Sequence, residues 1–209
     1  MSKGSQALAP AQALERVAEG GLVAFPTETS WGLAADSSSA AAIDALRQWK
    51  GRAADHPLSV LVTGLEDLLR LMGEPCAAAG RLAREFWPGP LTLVVPARAH
   101  FAPGVAGPDG TLGLRCSPHP VAAELVRLAA ERGLGPLTAT SFNRSGEPAC
   151  ETRSEAERAT GHEVLLVEGP DAGGGPASTV VDLCGTAPRI VRQGAVAAEQ
   201  INSVLGSVS

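Results

Sequence analysis

The amino-acid sequence predicts a single α/β domain over residues 1–209, with a sheet of mixed strand direction. Three observations predict it. The 209 residues are enough for one domain with a substantial core and too few for two domains of typical size. Segments of strand and helix character alternate along the chain without a linker, an internal repeat or a change in composition. Toward the C-terminus, three successive strand-like segments have no helix between them, so uniformly parallel pairing is not expected.

Turn and capping residues mark the ends of the predicted helices. Pro10 suits the first turn of a helix that the two glycines at positions 20–21 end. The serines at positions 37–39 can cap a second helix, and Gly51 is placed to end it. The helices predicted in this way cover residues 11–19, 40–49, 65–72, 76–86, 121–132, 154–160 and 197–205.

Short apolar runs predict the strands. Residues 22–25 form a run of four apolar side chains that Pro26 ends. The glycine-rich stretch 169–176 predicts a mobile loop, because it leads into a strand and not into the helix that a phosphate-binding turn needs. The predicted strands cover residues 22–25, 58–62, 91–95, 111–115, 137–140, 164–167, 178–183 and 189–191.

Composition limits the classes of protein that the chain can belong to. Seventeen basic and twenty-two acidic residues give a net charge of −5, so no overall positive field is available to hold a polyanion. No run of 18 apolar residues and no apolar N-terminal segment occur, which predicts a cytoplasmic protein without a membrane span or a signal peptide. The four cysteines form no C-x-x-C pair, which predicts free, buried thiols rather than a zinc knuckle or disulfides.

Several familiar motifs are missing. The sequence contains neither the G-x-x-x-x-G-K-[ST] phosphate loop nor the G-x-S-x-G turn of many hydrolases. Cys116 and His119 could place two metal ligands side by side, but no third or fourth ligand lies near them in the sequence. We therefore predict no protein-held metal site.

Polar residues instead cluster at the ends of the predicted strands and of one helix. Fifteen of the seventeen basic residues are arginine, so the lysine at position 50, beside a predicted helix end, stands out. If the clusters converge, they form a pocket for a multiply charged anion and a small polar molecule. Each has a simpler interpretation: Lys50 as a cation at a helix C-terminus, Ser141 and Asn143 as turn residues, Arg192 as a surface cation. Thr27 and Thr29 can be strand-end residues, and Arg115 can form an ion pair with an acid at the edge of the core. The clusters are 26–29, 50–52, 141–146 and 178–179, with Arg115 and Arg192.

Six ordered segments resemble the motifs of the YrdC-like threonylcarbamoyl-AMP synthases, over about residues 12–196. They are PTETSWGL at 26–33, KGR at 50–52 with PL at 57–58, FWPGPLT at 86–92, SFNRSG at 141–146, STVVD at 178–182 and RIVRQG at 189–194. The resemblance implies a twisted, mixed, open sheet with flanking helices around a concave, positively charged cavity. It also implies a reaction that joins L-threonine, bicarbonate or CO2, and ATP into threonylcarbamoyl-adenylate and pyrophosphate. The family's product serves the N6-threonylcarbamoyl modification of adenosine 37 in tRNAs that read ANN codons.

The resemblance also implies roles for particular residues. Lys50, Arg52, Ser141 and Asn143 match positions that hold and polarise the nucleotide phosphates, and they are the predicted catalytic residues. Threonine-binding positions match Thr27, Thr29, Arg115 and Ser178, and further ATP contacts match Thr111 and Arg192. Mg²⁺ is expected to accompany ATP, held by phosphates and water rather than by protein carboxylates.

The sequence departs from the family pattern at two positions. Trp31 stands where tyrosine is usual, which keeps an aromatic wall and loses a hydroxyl. Phe142 stands where alanine is usual, so its side chain must point into the core if the pocket is not to narrow. His56, near the K-x-R segment, is expected to be a solvated loop residue.

Partners and alternatives follow from the same resemblance. We expect downstream tRNA threonylcarbamoyl transferase proteins as partners, and a contact with tRNA or double-stranded RNA could coexist with the reaction. One alternative is an RNA-binding or ribosome-assembly module, which the net negative charge disfavours. The other is carbamoyl transfer to a different acceptor, a reaction that such domains perform in much longer chains. The chain resembles the short, single-domain type of synthase.

Overall fold

The structure, a computed structural model, describes residues 7–51, 57–98 and 101–206. Within these ranges seven helices and nine strands alternate along the chain. The helices are α1 (Pro10–Ala18), α2 (Ala40–Lys50), α3 (Leu65–Leu71), α4 (Ala77–Phe86), α5 (Pro120–Glu131), α6 (Arg153–Ala159) and α7 (Ala198–Leu205). The strands are β1 (Leu22–Pro26), β2 (Trp31–Ala34), β3 (Ser59–Leu61), β4 (Leu91–Pro96), β5 (Thr111–Arg115), β6 (Thr140–Ser141), β7 (Val164–Leu166), β8 (Thr179–Asp182) and β9 (Arg189–Arg192).

The strands form two sheets, each of mixed direction. One has the order β6-β2-β1-β7 and the other the order β3-β5-β4-β8-β9. Strand β1 pairs antiparallel with β2 and parallel with β7, and β4 pairs antiparallel with β5 and parallel with β8. The predicted α/β fold with mixed strand direction is confirmed. The strands are divided between two sheets, where the sequence suggested one.

Two predicted capping signals of α2 are confirmed. The Ser39 hydroxyl accepts a hydrogen bond from the Ala42 backbone N–H, and Gly51 ends the helix in the left-handed conformation with φ of 63°. Glycine adopts that conformation without the steric cost that a Cβ adds. Helix α2 therefore stops at Lys50, whose side chain is only 2% exposed.

The core consists of two clusters of apolar side chains. The larger cluster includes side chains of both sheets, such as Leu33 and Leu93, together with Ile43 of α2 and Leu82 of α4. The smaller cluster joins α1 and α5 to strand β1. All five residues of β1 are buried, which explains why this strand has a continuous apolar sequence rather than an alternating one.

The structure differs from the predicted elements mainly between the two sheets. Strand β2 was not predicted, because polar residues precede it and Gly32 interrupts its short apolar run. The strand predicted over residues 137–140 is reduced to β6 and two isolated bridges, in which Leu137 pairs with Asp36 and Thr138 with Val60. Because Asp36 follows β2 and Val60 belongs to β3, the start of this segment bridges the two sheets, and Thr140 then begins β6 at the edge of the four-stranded sheet.

Two further predictions concern membranes and thiols. In the described ranges no helix is long and apolar enough to cross a bilayer. All four cysteines are free thiols; Cys116 and Cys150 are buried, whereas Cys76 and Cys184 are partly exposed.

Candidate active site

A cavity of about 310 Å³ opens between the two sheets. Strand register brings a row of residues to each of its sides. In the five-stranded sheet Thr92 lies opposite Arg115 on one side and Val180 on the other, and Val180 lies opposite Arg192. Three of these four residues, Thr92, Arg115 and Arg192, line the cavity. Because side chains of paired residues project to the same face of a sheet, this register explains how strands distant in sequence supply one surface.

The facing row comes from the four-stranded sheet. Gly32 lies opposite Phe25 on one side and Ser141 on the other, and all three line the cavity. A Cβ on Gly32 would lie 2.7 Å from the Phe25 ring. Glycine is therefore required at this position to leave room for the ring beside the cavity.

We name Thr92, Arg115, Ser178 and Arg192 the arginine wall. Arg192 donates hydrogen bonds to the backbone oxygen of Ser178, from Nε at 3.1 Å and from Nη2 at 2.9 Å, and to its hydroxyl at 3.0 Å. The Ser178 hydroxyl also lies 2.9 Å from the Thr92 hydroxyl. A Cβ on Gly194 would collide with the Ala177 carbonyl oxygen at 2.1 Å, so glycine allows the segment after β9 to approach Ser178 closely.

Arg115 is held by a neighbouring carboxylate and two hydroxyls. Its Nη2 lies 2.8 Å from Glu28 Oε1, 2.7 Å from the Thr29 hydroxyl and 3.5 Å from the Thr27 hydroxyl. Ser117 donates a hydrogen bond to the other oxygen of Glu28. Arg115 Nε is buried and has no hydrogen-bond partner in the described chain. The guanidinium therefore keeps unused donor capacity at the cavity, because one nitrogen makes all its bonds.

The two arginines influence each other electrostatically. Burial, and secondarily the positive charge of Arg115, lower the pKa of Arg192. The guanidinium stays charged at neutral pH, because the ordinary pKa of arginine lies far above neutrality. Glu28 already pairs with Arg115, whereas Arg192 has no carboxylate partner in the described residues, so an anionic ligand would be stabilised beside Arg192.

Lys50 holds the segment Ser141–Glu147, which we name the asparagine turn. Its Nζ donates to the Ser141 backbone oxygen and, at 3.0 and 3.1 Å, to the backbone and side-chain oxygens of Asn143. The Ser141 hydroxyl donates to the same Asn143 side-chain oxygen at 2.6 Å. The Asn143 amide group donates to the Glu147 backbone oxygen at 2.7 Å. Because an ammonium group has three N–H bonds, these contacts can occupy all of them.

The structure brings most of the predicted site residues together. Ser141 and Asn143 line the cavity, and Lys50 lies behind them. Thr111, at the opposite end of β5 from Arg115, does not belong to the described cavity lining. Arg52 and His56 lie outside the described residues. The residues placed at the cavity surface as the sequence suggested are Thr27, Thr29, Arg115, Ser141, Asn143, Ser178 and Arg192.

The two departures from the family pattern occupy buried positions. Trp31 is fully buried and lines the cavity, and its Nε1 has no hydrogen-bond partner in the described chain. Phe142 is also fully buried and does not belong to the cavity lining. Its ring stacks on Trp49 with centroids 4.8 Å apart. Phe142 therefore packs into the core rather than narrowing the pocket.

Sequence reasoning missed some contributors to the site. Glu28 was quoted within a motif but given no role, although its spacing beside Thr27 and Thr29 places it against Arg115. Thr92 and Glu147 line the cavity as well. Thr92 ends the FWPGPLT motif at 86–92, but only strand register places its side chain beside Arg115.

The glycine-rich segment 169–176 packs against the residues beside the arginine wall. The Gly173 backbone N–H donates to the Thr27 backbone oxygen at 2.9 Å, and a Cβ on Gly173 would lie 2.3 Å from the Glu28 backbone oxygen. Asp171 accepts a hydrogen bond from the Arg153 backbone N–H at 2.7 Å. The glycines of segment 169–176 thus allow its backbone to approach that of Thr27 and Glu28 at the rim of the cavity.

A two-sheet α/β fold with an arginine-lined, hydroxyl-rich cavity defines a class of proteins that bind small anionic ligands. The sequence model of the Sua5/YciO/YrdC family, described as telomere recombination, matches residues 15–194. The chain therefore belongs to this family.

Individual relatives agree with this assignment. A threonylcarbamoyl-AMP synthase of Pyrococcus abyssi is 37% identical over 92% of this chain and 56% of its own length. One of Chromohalobacter salexigens is 37% identical over 83% of this chain and 91% of its own length. The crystal structure of P. abyssi Sua5 complexed with L-threonine superposes with a TM-score of 0.87 at 34% identity, covering 94% of this chain and 57% of that one. The chain thus spans little more than half the length of its Pyrococcus relative.

Proposed function

We propose that the chain is an L-threonylcarbamoyladenylate synthase, and so a nucleotidyltransferase. The observation that supports this most is the pairing of two walls in one cavity. The arginine wall offers two guanidinium groups beside hydroxyls, and the asparagine turn offers a hydroxyl and an amide. The related Sua5 of P. abyssi is described as complexed with L-threonine. A carboxylate and a polyphosphate are the two anions that such walls suit.

Threonine is assigned to the side of the arginine wall. Arg115 would bind its α-carboxylate through the donors that Glu28 and the threonine hydroxyls leave unused. The hydroxyls of Thr27, Thr29 and Ser178 would bind the ammonium group and the side-chain hydroxyl of the substrate. Neutral and charge-assisted hydrogen bonds of this kind orient a small amino acid more than they bind it tightly.

ATP is assigned to the opposite side of the cavity. In the structure the Ser141 hydroxyl donates to Asn143, and the Asn143 amide group donates to the backbone oxygens of Arg144 and Glu147. Ser141 and Asn143 would therefore exchange hydrogen bonds of the turn for bonds to the phosphates, with Lys50 and Arg52 supplying positive charge. Arg192 would contact ATP from the end of β9, beside the threonine subsite, and Thr111 is proposed as a further ATP contact. This arrangement brings the amine of threonine toward the α-phosphorus.

The reaction needs positioning and charge stabilisation rather than a protein nucleophile. The threonine amine and bicarbonate condense to a carbamate with loss of water. A carbamate oxygen then attacks the α-phosphorus of ATP, the bond between the α-phosphorus and the bridging oxygen to the β-phosphate breaks, and pyrophosphate leaves with the bonding electron pair. Donors already placed around the phosphates lower the barrier because they need no reorganisation as charge moves.

The protein groups described here suit Mg²⁺ brought by ATP better than a resident metal ion. No cluster of three or more metal-ligating side chains occurs in the described residues, and Glu28 of the cavity region is already paired with Arg115. Mg²⁺ would therefore be held by phosphate oxygens and water. When bound, it would neutralise charge on the triphosphate.

The wider context is proposed on the same basis. The chain would pass its threonylcarbamoyl-adenylate product to tRNA threonylcarbamoyl transferase proteins. These proteins would complete the modification of adenosine 37 in tRNAs that read ANN codons. A direct contact with tRNA is a secondary proposal.

A pyrophosphate-release assay tests the reaction. We expect release to require ATP, Mg²⁺, bicarbonate and L-threonine together, with threonylcarbamoyl-adenylate detected by mass spectrometry. Leaving out each component in turn is the control. Pyrophosphate release that does not depend on both threonine and bicarbonate would overturn the proposal.

A further inference from the structure

Alternate side chains of the asparagine turn face different surroundings. Ser141 and Asn143 line the cavity. Phe142 stacks on Trp49 with ring centroids 4.8 Å apart and ring planes 13° from parallel. The guanidinium carbon of Arg144 lies 4.3 Å from the centroid of the same Trp49 ring. Trp49 therefore contacts both residues that flank Asn143 in sequence.

The end of α2 holds this turn by backbone and side-chain contacts together. Trp49 precedes Lys50, whose ammonium group donates to oxygens of Ser141 and Asn143. The Ser145 backbone N–H donates to the Lys50 backbone oxygen at 2.7 Å. A lysine side chain has a flexible four-carbon stem, so its hydrogen bonds alone leave the turn free to rotate about the ammonium group. The stacked rings remove that freedom, because they are buried and rigid.

The turn is also fixed to the wall of the cavity at Phe142. Its backbone N–H donates to the Trp31 oxygen at 2.8 Å, and its oxygen accepts from Cys150 N–H at 3.2 Å. With its backbone joined to β2 and its ring held by Trp49, Phe142 determines the direction in which its two neighbours point. Hydrogen bonds weaken steeply with misalignment, so a small rotation here would misalign the Ser141 and Asn143 side chains.

We infer that Trp49, through its stack with Phe142, is a positioning residue that aims Ser141 and Asn143 at the nucleotide phosphates. The inference rests on the proposed function for the identity of the ligand. Trp49 touches neither substrate; it acts through the turn. Misplacing a reactive group by about 1 Å can cost on the order of 100-fold in rate, so the stack is expected to matter even though it lies behind the cavity surface.

The buried tryptophan offers a conservative variant that isolates the role of its ring. Trp49 is 3% exposed, and its Nε1 has no hydrogen-bond partner in the described residues. Trp49→Phe removes this unpaired donor and keeps an aromatic face, whereas Trp49→Leu removes the aromatic face. Phe142→Leu is a second, milder variant of the same contact, with similar apolar volume.

Steady-state kinetics separate positioning from general stability. For Trp49→Leu and Phe142→Leu we expect the KM for ATP to rise by about tenfold, with the KM for threonine changed by less than about twofold. Trp49→Phe should remain close to the original protein. Leu14→Ala is the matched control, because Leu14 is fully buried in the second apolar cluster; it should lower the Tm without changing the KM for ATP.

Calorimetric titration with ATP distinguishes failure of the inference from failure of the proposed reaction. If the protein makes no threonylcarbamoyl-adenylate but Trp49→Leu still weakens ATP binding by about tenfold, the proposed function fails and the positioning role stands. If Trp49→Leu lowers the Tm as Leu14→Ala does and leaves ATP binding unchanged, the stack is only structural and the inference is overturned. An unmodified protein that binds no ATP also overturns it.

Discussion

The arginine wall and the asparagine turn form opposite sides of one cavity and provide positive charge in different ways. Arg115 and Arg192 line the cavity directly, and the Arg115 side chain is 13% exposed. Lys50 is 2% exposed and does not belong to the described lining. The ammonium group of Lys50 donates to the oxygens of the turn, and Ser141 and Asn143 form the cavity surface in its place. One wall therefore offers charge to its ligand, whereas the other offers a shaped polar surface with a charge behind it.

This difference has a physical origin in the elements that build each wall. Strand register fixes the arginine wall, since Arg115, Thr92 and Arg192 lie in one row across neighbouring strands. In the asparagine turn, register with Gly32 places only Ser141, and the shape of the rest has to be imposed by other contacts. The end of α2 does so through Lys50 and Trp49. We therefore expect substitutions in the wall to act locally on one ligand, and substitutions behind the turn to act on geometry.

The largest expected effect is at Lys50. Lys50→Met should lower kcat/KM for adenylate formation by on the order of 100-fold, the size of losing a preorganised electrostatic donor. It also removes the donor that Lys50 supplies to three oxygens of the turn, although the Asn143 side-chain oxygen keeps the Ser141 hydroxyl as a donor, so the Tm should fall. Lys50→Arg should not restore activity, because a planar guanidinium cannot direct its donors as an ammonium group does. Near-original turnover in a folded Lys50→Met protein would show that the turn needs no charge behind it.

Arg115 tests the other wall. Arg115→Lys should raise the KM for threonine by roughly 10- to 100-fold, because lysine cannot bind a carboxylate through two parallel hydrogen bonds. The KM for ATP should stay nearly constant, and initial-rate kinetics with each substrate varied measure both. Arg127→Ala is the control: Arg127 pairs with Glu124 and Glu131 on an exposed face of α5. A loss of ATP affinity in Arg115→Lys would place this arginine on the nucleotide.

Much of the fold could be predicted from local patterns, and the site less completely. The α2 boundaries followed from Ser39 and Gly51, whose capping roles depend only on neighbouring backbone. An ion pair of Arg115 with an acid was an alternative prediction, but its partner Glu28 was not identified, because the pair joins residues far apart in sequence. Lys50 stood out by composition, but its burial against the turn depends on how two distant elements pack, which no local pattern contains.

Substrate selectivity sharpens the account of the arginine wall. Serine lacks one methyl group of threonine, which is worth about 1–3 kcal/mol in a fitting pocket. Valine lacks the hydroxyl, so it would leave the hydroxyls of Thr27, Thr29 and Ser178 without the hydrogen bond that threonine makes to them. It should therefore be rejected more strongly than serine. Pyrophosphate release with each amino acid at equal concentration measures the order. Equal turnover of valine and threonine would remove these hydroxyls from the threonine subsite.

The smallest expected effect concerns His119, which links the arginine wall to the segment at its rim. His119 Nδ1 accepts a hydrogen bond from the Val121 N–H at 3.3 Å, so Nε2 carries the proton and faces the Asp171 backbone oxygen at 3.3 Å. Burial lowers the pKa of His119, and this outweighs the Asp171 oxygen and the charge of Glu28, which raise it. Protonation of Nδ1 would also replace its hydrogen bond by a repulsive contact, because Nδ1–H and the Val121 N–H are both donors.

The sign of the resulting pH dependence follows from linkage. Because the pKa of His119 is lower in the folded protein than the ordinary value of 6.5, the unfolded chain binds the proton first on acidification. The stability that neutral His119 contributes is complete above that value and is lost as the pH falls through the folded pKa. Measured from about pH 7.5 to about pH 5, the Tm of His119→Asn should fall less steeply than that of the original protein, since asparagine caps a helix without titrating. The control is His162→Asn, at an exposed histidine, for which the slope of Tm against pH should stay that of the original protein. An unchanged slope in His119→Asn would mean that His119 does not make the stability depend on pH.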